Sequence, residues 1–167
     1  MNERLFSKHY TVRKLQREDT DAIFDLCRKN ELYYAFCPPP VTKESIMEDM
    51  TALPPHTSIE DKYYVGYFSG DKLIALLDLI DGYPEKGTAF IGLFMTDVSV
   101  QKCGIGTSII SELLEYLTAS GIAAVRLAWV KGNPQSEHFW LKNGFIPVKE
   151  TTSNAAAHVI LAKRKLS

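Results

Sequence analysis

No apolar run in this chain approaches the ~20 residues that a bilayer-spanning helix requires. The first ten residues, Met1 to Tyr10, hold no apolar h-region either, so neither a membrane anchor nor a signal peptide is expected. An excess of one charge is also missing: 19 Lys and Arg stand against 20 Asp and Glu, a formal net charge of −1 at pH 7. A chain so balanced lacks the basic footprint of a nucleic-acid or anionic-membrane binder. Cysteine is scarce. Cys27, Cys37 and Cys103 are odd in number and form no C-x-x-C pair, which fits reduced thiols in a cytoplasmic protein. No metal site is expected, and no fixed-period repeat or low-complexity segment is present.

Two common phosphate-binding motifs are missing as well. The dinucleotide fingerprint G-x-G-x-x-G fails because Ile109 stands at its third glycine and no acidic residue follows at the expected distance. The Gly-Lys-Ser/Thr of a P-loop is absent. What is present is Gln101-Lys-Cys-Gly104-Ile-Gly106-Thr107, preceded by the predominantly apolar run Ala89 to Val98. Ile109, Ile110, Leu113, Leu114 and Leu117 then recur at helical spacing up to Gly121, a suitable stop. Strand, tight glycine loop and helix follow in that order. Glycines at 104 and 106 let the backbone approach a ligand closely, and the helix start offers free N–H groups and a positive dipole end. An anion such as a pyrophosphate fits there; a glycine turn entering an ordinary core helix is the alternative.

The 167 residues fit one domain, and the 46 % apolar share is ordinary for a globular protein. His9 to Gln16 reads as a first strand. Asp19 or Thr20 caps a helix with Ala22, Ile23, Leu26 and Cys27 on one face, closed by Asn30 to Tyr34. The prolines after Cys37 break the chain, and Thr42 caps a second helix carrying Ile46, Met50 and Leu53. Lys62 to Ser69 and Lys72 to Ile80 form a hairpin about Ser69-Gly-Asp71, a turn covers Asp81 to Pro84, and a third strand begins near Thr88. Ala123 to Val130 reads as a strand, Asn133 and Pro134 start a short helix ending at Asn143-Gly144, and Phe145 to Lys149 and His158 to Lys163 close the chain. This order predicts a mixed sheet with helices on its faces.

The loop Gln-x-x-Gly-x-Gly-Thr resembles the acyl-CoA pyrophosphate loop of the GNAT acetyltransferase superfamily. Asn133-Pro-Gln-Ser136-Glu-His-Phe139-Trp140, ending in Gly144-Phe145, resembles a second segment of that family at a suitable distance. The resemblance implies a single α/β domain over residues 1–167, with a mixed, mostly antiparallel central sheet of about seven strands and helices on both faces. It also implies acetyl-CoA as co-substrate and direct transfer of the acetyl group to an amine. Phe94, Met95 and Thr96 would offer backbone groups to the acetyl carbonyl and the pantetheine arm. Gln101 would belong to the same loop, and Lys102, Cys103, Gly104, Ile105, Gly106 and Thr107 would wrap the pyrophosphate. Asn133 would reach the pantetheine, and Phe139 and Trp140 would wall the thioester.

Two positions depart from the family. Trp140 stands where many members carry a Tyr that protonates the leaving thiolate, and an indole N–H is no general acid. Ala128 stands where relatives that acetylate protein N-termini can carry a Glu. A base, if one is needed beyond a water chain, must then come from elsewhere: the candidates are Asp78, which either points to solvent or is aimed into the cleft, Asp81, and His138, expected on the exposed side of its helix. Tyr33, Tyr34 and Tyr83, with Trp140 and Asp81, would suit a cationic amine. The expectation is an N-acetyltransferase acting on a small amine-bearing molecule, as a monomer or homodimer. Acetylation of a protein Nα or lysine amine, or a non-catalytic acyl-CoA-binding regulator, are the alternatives.

Overall fold

The computed structural model describes residues 1–167. Seven strands form one sheet: β1 (Thr11–Lys14), β2 (Lys62–Ser69), β3 (Lys72–Asp81), β4 (Thr88–Thr96), β5 (Ala124–Val130), β6 (Ile146–Thr152) and β7 (His158–Lys165). Their order is β1-β2-β3-β4-β5-β7-β6, and every neighbouring pair is antiparallel except β4 with β5. The mixed sheet expected from the sequence is therefore present. Five helices flank it: α1 (Thr20–Arg28), α2 (Glu31–Phe36), α3 (Lys43–Thr51), α4 (Ile105–Ala119) and α5 (Pro134–Lys142). None is long and apolar enough to cross a membrane.

Side chains alternate across a strand, so the sheet must bury two faces. Leu77 on β3 and Phe94 on β4 pack with Ile109, Ile110, Leu113 and Leu117 of α4 and Trp140 of α5 in the larger core. Their neighbours Leu76 and Met95 pack on the other side with Ile23 and Leu26 of α1 and Ile46 of α3. The four α4 residues are fully buried, each contributing about 1.5–3 kcal/mol of transfer free energy. Ahead of β1, the N-terminal segment lies against α4. Phe6 is fully buried beside the rings of Tyr63 and Tyr116, at centroid distances of 5.8 and 5.1 Å. Glu112 of α4 accepts hydrogen bonds from the Ser7 hydroxyl at 2.5 Å and the Lys8 N–H at 2.8 Å, and it pairs with His9.

Several boundaries differ from the sequence reading. The first strand contracts to Thr11–Lys14 because Ser7 to Tyr10 turn back to reach Glu112. Asn30 to Tyr34 do not close the first helix. The chain leaves helical geometry at Asn30 (φ −86°, ψ 59°) and starts α2 as a separate short helix. The strand expected to reach Val98 stops at Thr96, where Asp97 caps a single 3₁₀ turn over Val98–Val100 by accepting from the Ser99 N–H. The caps at Thr42 and Asn133, and Pro134 in the first helical turn, are as expected.

Candidate active site

The parallel pair β4–β5 is short. Thr88 to Ile91 pair with Ala124 to Leu127, and beyond Ile91 the strands part. Gly92 marks the parting: the β3–β4 register slips there, with Asp78 opposite Leu93 and Leu79 opposite Ile91, so Gly92 is the extra residue of a bulge. Such an isolated glycine within a strand was the available sequence signal. The edges of residues 92–96 and 128–130 that would face each other have no partner strand.

A cavity of about 180 Å³ fills the gap between them. That is small beside the ~300–1,000 Å³ of sites that enclose a drug-sized ligand. Its volume is too small for a whole coenzyme and matches no more than the reacting end of a substrate. Gly92, Phe94, Ala128 and Trp129 line it from the strands, Asn133, Ser136 and Trp140 from the α5 side, and Tyr33 and Cys37 from the α2 side. Burial and the neighbouring Cys37 push the Tyr33 phenol well above its ordinary range; burial also pushes the Cys37 thiol up. Both are neutral, protonated walls at physiological pH.

Beside this gap the glycine loop runs into α4. From Lys102 to Thr107 no backbone N–H donates to any protein atom, and the helix has no side-chain cap. The six consecutive donors sit at the positive end of a four-turn helix, an arrangement suited to a phosphate group. Lys102 (φ 61°) and Gly104 (φ 83°) adopt left-handed conformations that turn the chain into the helix. Gly106 also has a packing reason to be small. A Cβ there would sit 3.2 Å from the Phe139 ring and 3.6 Å from the Thr96 methyl. Its place is set by packing against α5.

Other expected residues distribute as follows. Asn133, 1 % exposed, spends its Oδ1 on the N–H groups of Gln135 and Ser136, while its Nδ2 has no partner within the chain and its residue borders the cavity. Phe139 does not line the cavity; it stacks on Phe94 at 5.8 Å and meets Trp140 edge-on at 4.9 Å, forming the layer behind it. Met95 is buried in the smaller core, away from the gap. Thr96 offers no carbonyl to a ligand, because its oxygen accepts from Asn30 Nδ2 and Gln101 Nε2. Ile105 and Thr107 are half-buried, and Cys103 is exposed with its thiol on the Val100 carbonyl. Tyr34 packs edge-on against Tyr33, one layer from the cavity.

Asp78 and Asp81 part company. Asp78 is held by the buried Lys62 ammonium, 2.8 Å from each carboxylate oxygen. Burial pushes its carboxyl above the ordinary range, and Lys62 pulls it back only in part. Its Oδ2 lies 3.2 Å from where a Gly92 Cβ would stand, so the bulge glycine leaves the carboxylate next to the cavity wall. Asp81 pairs in register with Ala89, at the end of β4 opposite the glycine loop, and it does not line the cavity. Tyr83 packs edge-on against Phe90 and does not line it either. Antiparallel pairing sends the end of β3 to the start of β4, so this turn lies away from the cavity-lining residues. His138 is exposed, as anticipated.

The chain matches the acetyltransferase (GNAT) family over residues 21–145. No curated protein matches it. Among solved structures, an acetyltransferase from Thermus thermophilus superposes with a TM-score of 0.73 at 18 % identity, covering 94 % of this chain and 97 % of that one. Spermidine N-acetyltransferase from Vibrio cholerae, in complex with CoA and spermine, gives 0.69 at 18 %, covering 95 % and 96 %. The ribosomal-protein-S18-alanine N-acetyltransferase from Escherichia coli gives 0.68 at 15 %, covering 95 % and 94 %. At these identities the likeness is one of fold.

Proposed function

The chain belongs to the acetyltransferase (GNAT) family and is an acetyl-CoA-dependent N-acetyltransferase, and from that premise we propose that its acceptor is the primary amine of a small molecule. The carrying observation is the small cavity in the β4–β5 gap, bordered by Tyr33 and Cys37 of the α2 side. A space this small favours a slender amine over a folded protein surface. Ala128 on the cavity wall, in place of the carboxylate that relatives acting on protein N-termini can carry, supports the same choice.

The residues present fit acetyl-CoA as substrate. The free N–H groups of Lys102 to Thr107 suit its pyrophosphate, the unpartnered Asn133 Nδ2 its pantetheine arm, and the apolar gap its acetyl group. In the transfer a neutral amine attacks the acetyl carbon: the C–N bond forms, the C–S bond breaks, and the thiolate leaves with the bonding pair. Donors from the unpaired strand edges would stabilise the oxyanion. Holding both reactants in one enclosure supplies most of the acceleration. We assign the departing amine proton to Asp78, relayed by water past Gly92. A thiol of pKa near ~8.5 departs without an acid at the Trp140 position.

Free-thiol release from acetyl-CoA, measured across a panel of small primary amines and of N-terminal peptides, tests this reading. Turnover with one or more small amines and none with peptides is expected. Turnover confined to peptides would overturn it.

A further inference from the structure

Asn30 lies 71 residues from the glycine loop in sequence and touches it in space. It sits in the break between α1 and α2, 8 % exposed, and its side chain does not cap α2. Its Oδ1 instead accepts from Gln101 Nε2 at 2.8 Å, and its Nδ2 donates to the carbonyls of Leu26 and Thr96, both at 3.1 Å. Gln101 Nε2 also donates to the Thr96 carbonyl at 3.2 Å, closing a ring of three residues. Next to it, the Lys29 ammonium lies 3.8 Å from the Asp97 carboxylate. The α1–α2 corner is thereby fastened to residues 96–101, immediately before the run of free N–H groups.

What hangs from that corner is α2, with Tyr33 three residues on and Cys37 beyond it. A six-residue helix is marginal by itself, and α2 buries no residue fully: Tyr33 and Tyr34 pack half-buried against the smaller core. Its placement rests on that contact and on its first end, where Asn30 is tied. We infer that Asn30 is a positioning residue that couples the acyl-CoA loop to the acceptor wall, so that a phosphate ligand on the loop stiffens α2. The inference rests on the reading of the loop as the acyl-CoA site. The buried Asn30 side chain has both its Oδ1 and its Nδ2 partnered, and a buried polar group so satisfied holds one geometry. Coupling through it is reciprocal, so whatever orders α2 strengthens binding at the loop by the same factor.

The probe is adenosine 3′-phosphate 5′-diphosphate, the part of coenzyme A that reaches the loop and lacks the arm that would enter the cavity. Hydrogen exchange is followed by mass spectrometry with and without it. In the wild-type chain the probe should slow exchange both at residues 102–110 and across Glu31–Cys37. In Asn30→Ala the slowing at the loop should persist and that across α2 should vanish, with affinity for the probe falling by roughly tenfold, within the ~5–150-fold usual for coupled sites. Gln101→Met removes the same link from the loop side, leaves the Asn30 bond to Leu26 in place, and should behave alike. Slowing across α2 that survives in either folded variant, or that is missing from the wild type while the probe binds, overturns the coupling alone. A wild-type chain that does not bind the probe overturns the loop reading and the coupling together.

Discussion

Among single residues Asp78 bears the sharpest consequences. Its carboxylate lies beside Gly92 of the cavity wall, and it accepts a proton only when ionised. Because burial outweighs the Lys62 pairing and raises its carboxyl, kcat should rise with pH through a value above the ordinary carboxylate range. Asp78→Asn should remove that acid limb and lower kcat by about 10²–10⁴, leaving the acetyl-CoA Kd unchanged; steady-state kinetics over pH with any accepted amine checks this. Asparagine also leaves the Lys62 ammonium buried without its counter-ion, a change that costs about 3–5 kcal/mol. The double variant Asp78→Asn, Lys62→Met should recover that stability and stay inactive. A stable double variant with wild-type turnover would remove Asp78 from the chemistry.

At the scale of elements, α4 and the loop before it were the most legible part of the chain. The glycine spacing, the apolar i, i+3, i+4 pattern and the stop at Gly121 are local signals, and the helix runs over Ile105–Ala119. The same holds for the Asn133 cap. What sequence could not convey was long-range: Asn30 reads as a helix-closing polar residue until Gln101 arrives beside it, and Asp81 reads as equal to Asp78 until the register separates them. Lys62, in turn, looks like a strand-start lysine and is buried under its carboxylate. The two loop glycines give an element-scale prediction. Acetyl-CoA should raise the Tm of the wild-type chain, by about 2.7 kcal/mol of stabilisation at 100 times Kd. Gly104→Val forces a β-branched residue to φ 83° and should abolish the shift by refolding the loop, although open space surrounds its Cβ. Gly106→Val should weaken it by displacing Phe139. An undiminished shift in both would refute the loop assignment.

For the molecule as a whole, the N-terminal segment clamps α4 through Glu112. Burial alone would raise this carboxyl, but the Ser7 hydroxyl, the Lys8 N–H and His9 together hold it below its usual 4.5. A carboxyl depressed in the folded state stabilises the fold above the unfolded pKa, and that stability is lost as pH falls through the folded one. The wild-type Tm should therefore fall steeply below about pH 4.5. Glu112→Gln should flatten that decline and lower the Tm at pH 7 by about 4–8 °C, from roughly 2 kcal/mol of lost charge-assisted hydrogen bonding. Calorimetry across pH 3–8 reads both effects, and parallel curves for the two proteins would show that the clamp contributes nothing.

The short β4–β5 pairing has a mechanical consequence. Strands β1 to β4 form one plate and β5, β7 and β6 another, and the plates share four register pairs, Thr88 to Ile91 with Ala124 to Leu127. Between β3 and β7, that seam is the shortest, against seven pairs each for β3–β4 and β5–β7. Pulled between handles on β3 and β7, perpendicular to the strands, the molecule should unzip there first, pair by pair and at low force. An extended substrate arm lying along the open edges would stitch the plates together past the last pair. In an optical trap, acetyl-CoA should raise the force of the first rupture and leave later ones unchanged. The enzyme would then be mechanically strongest when it is loaded, and weakest once its product has gone.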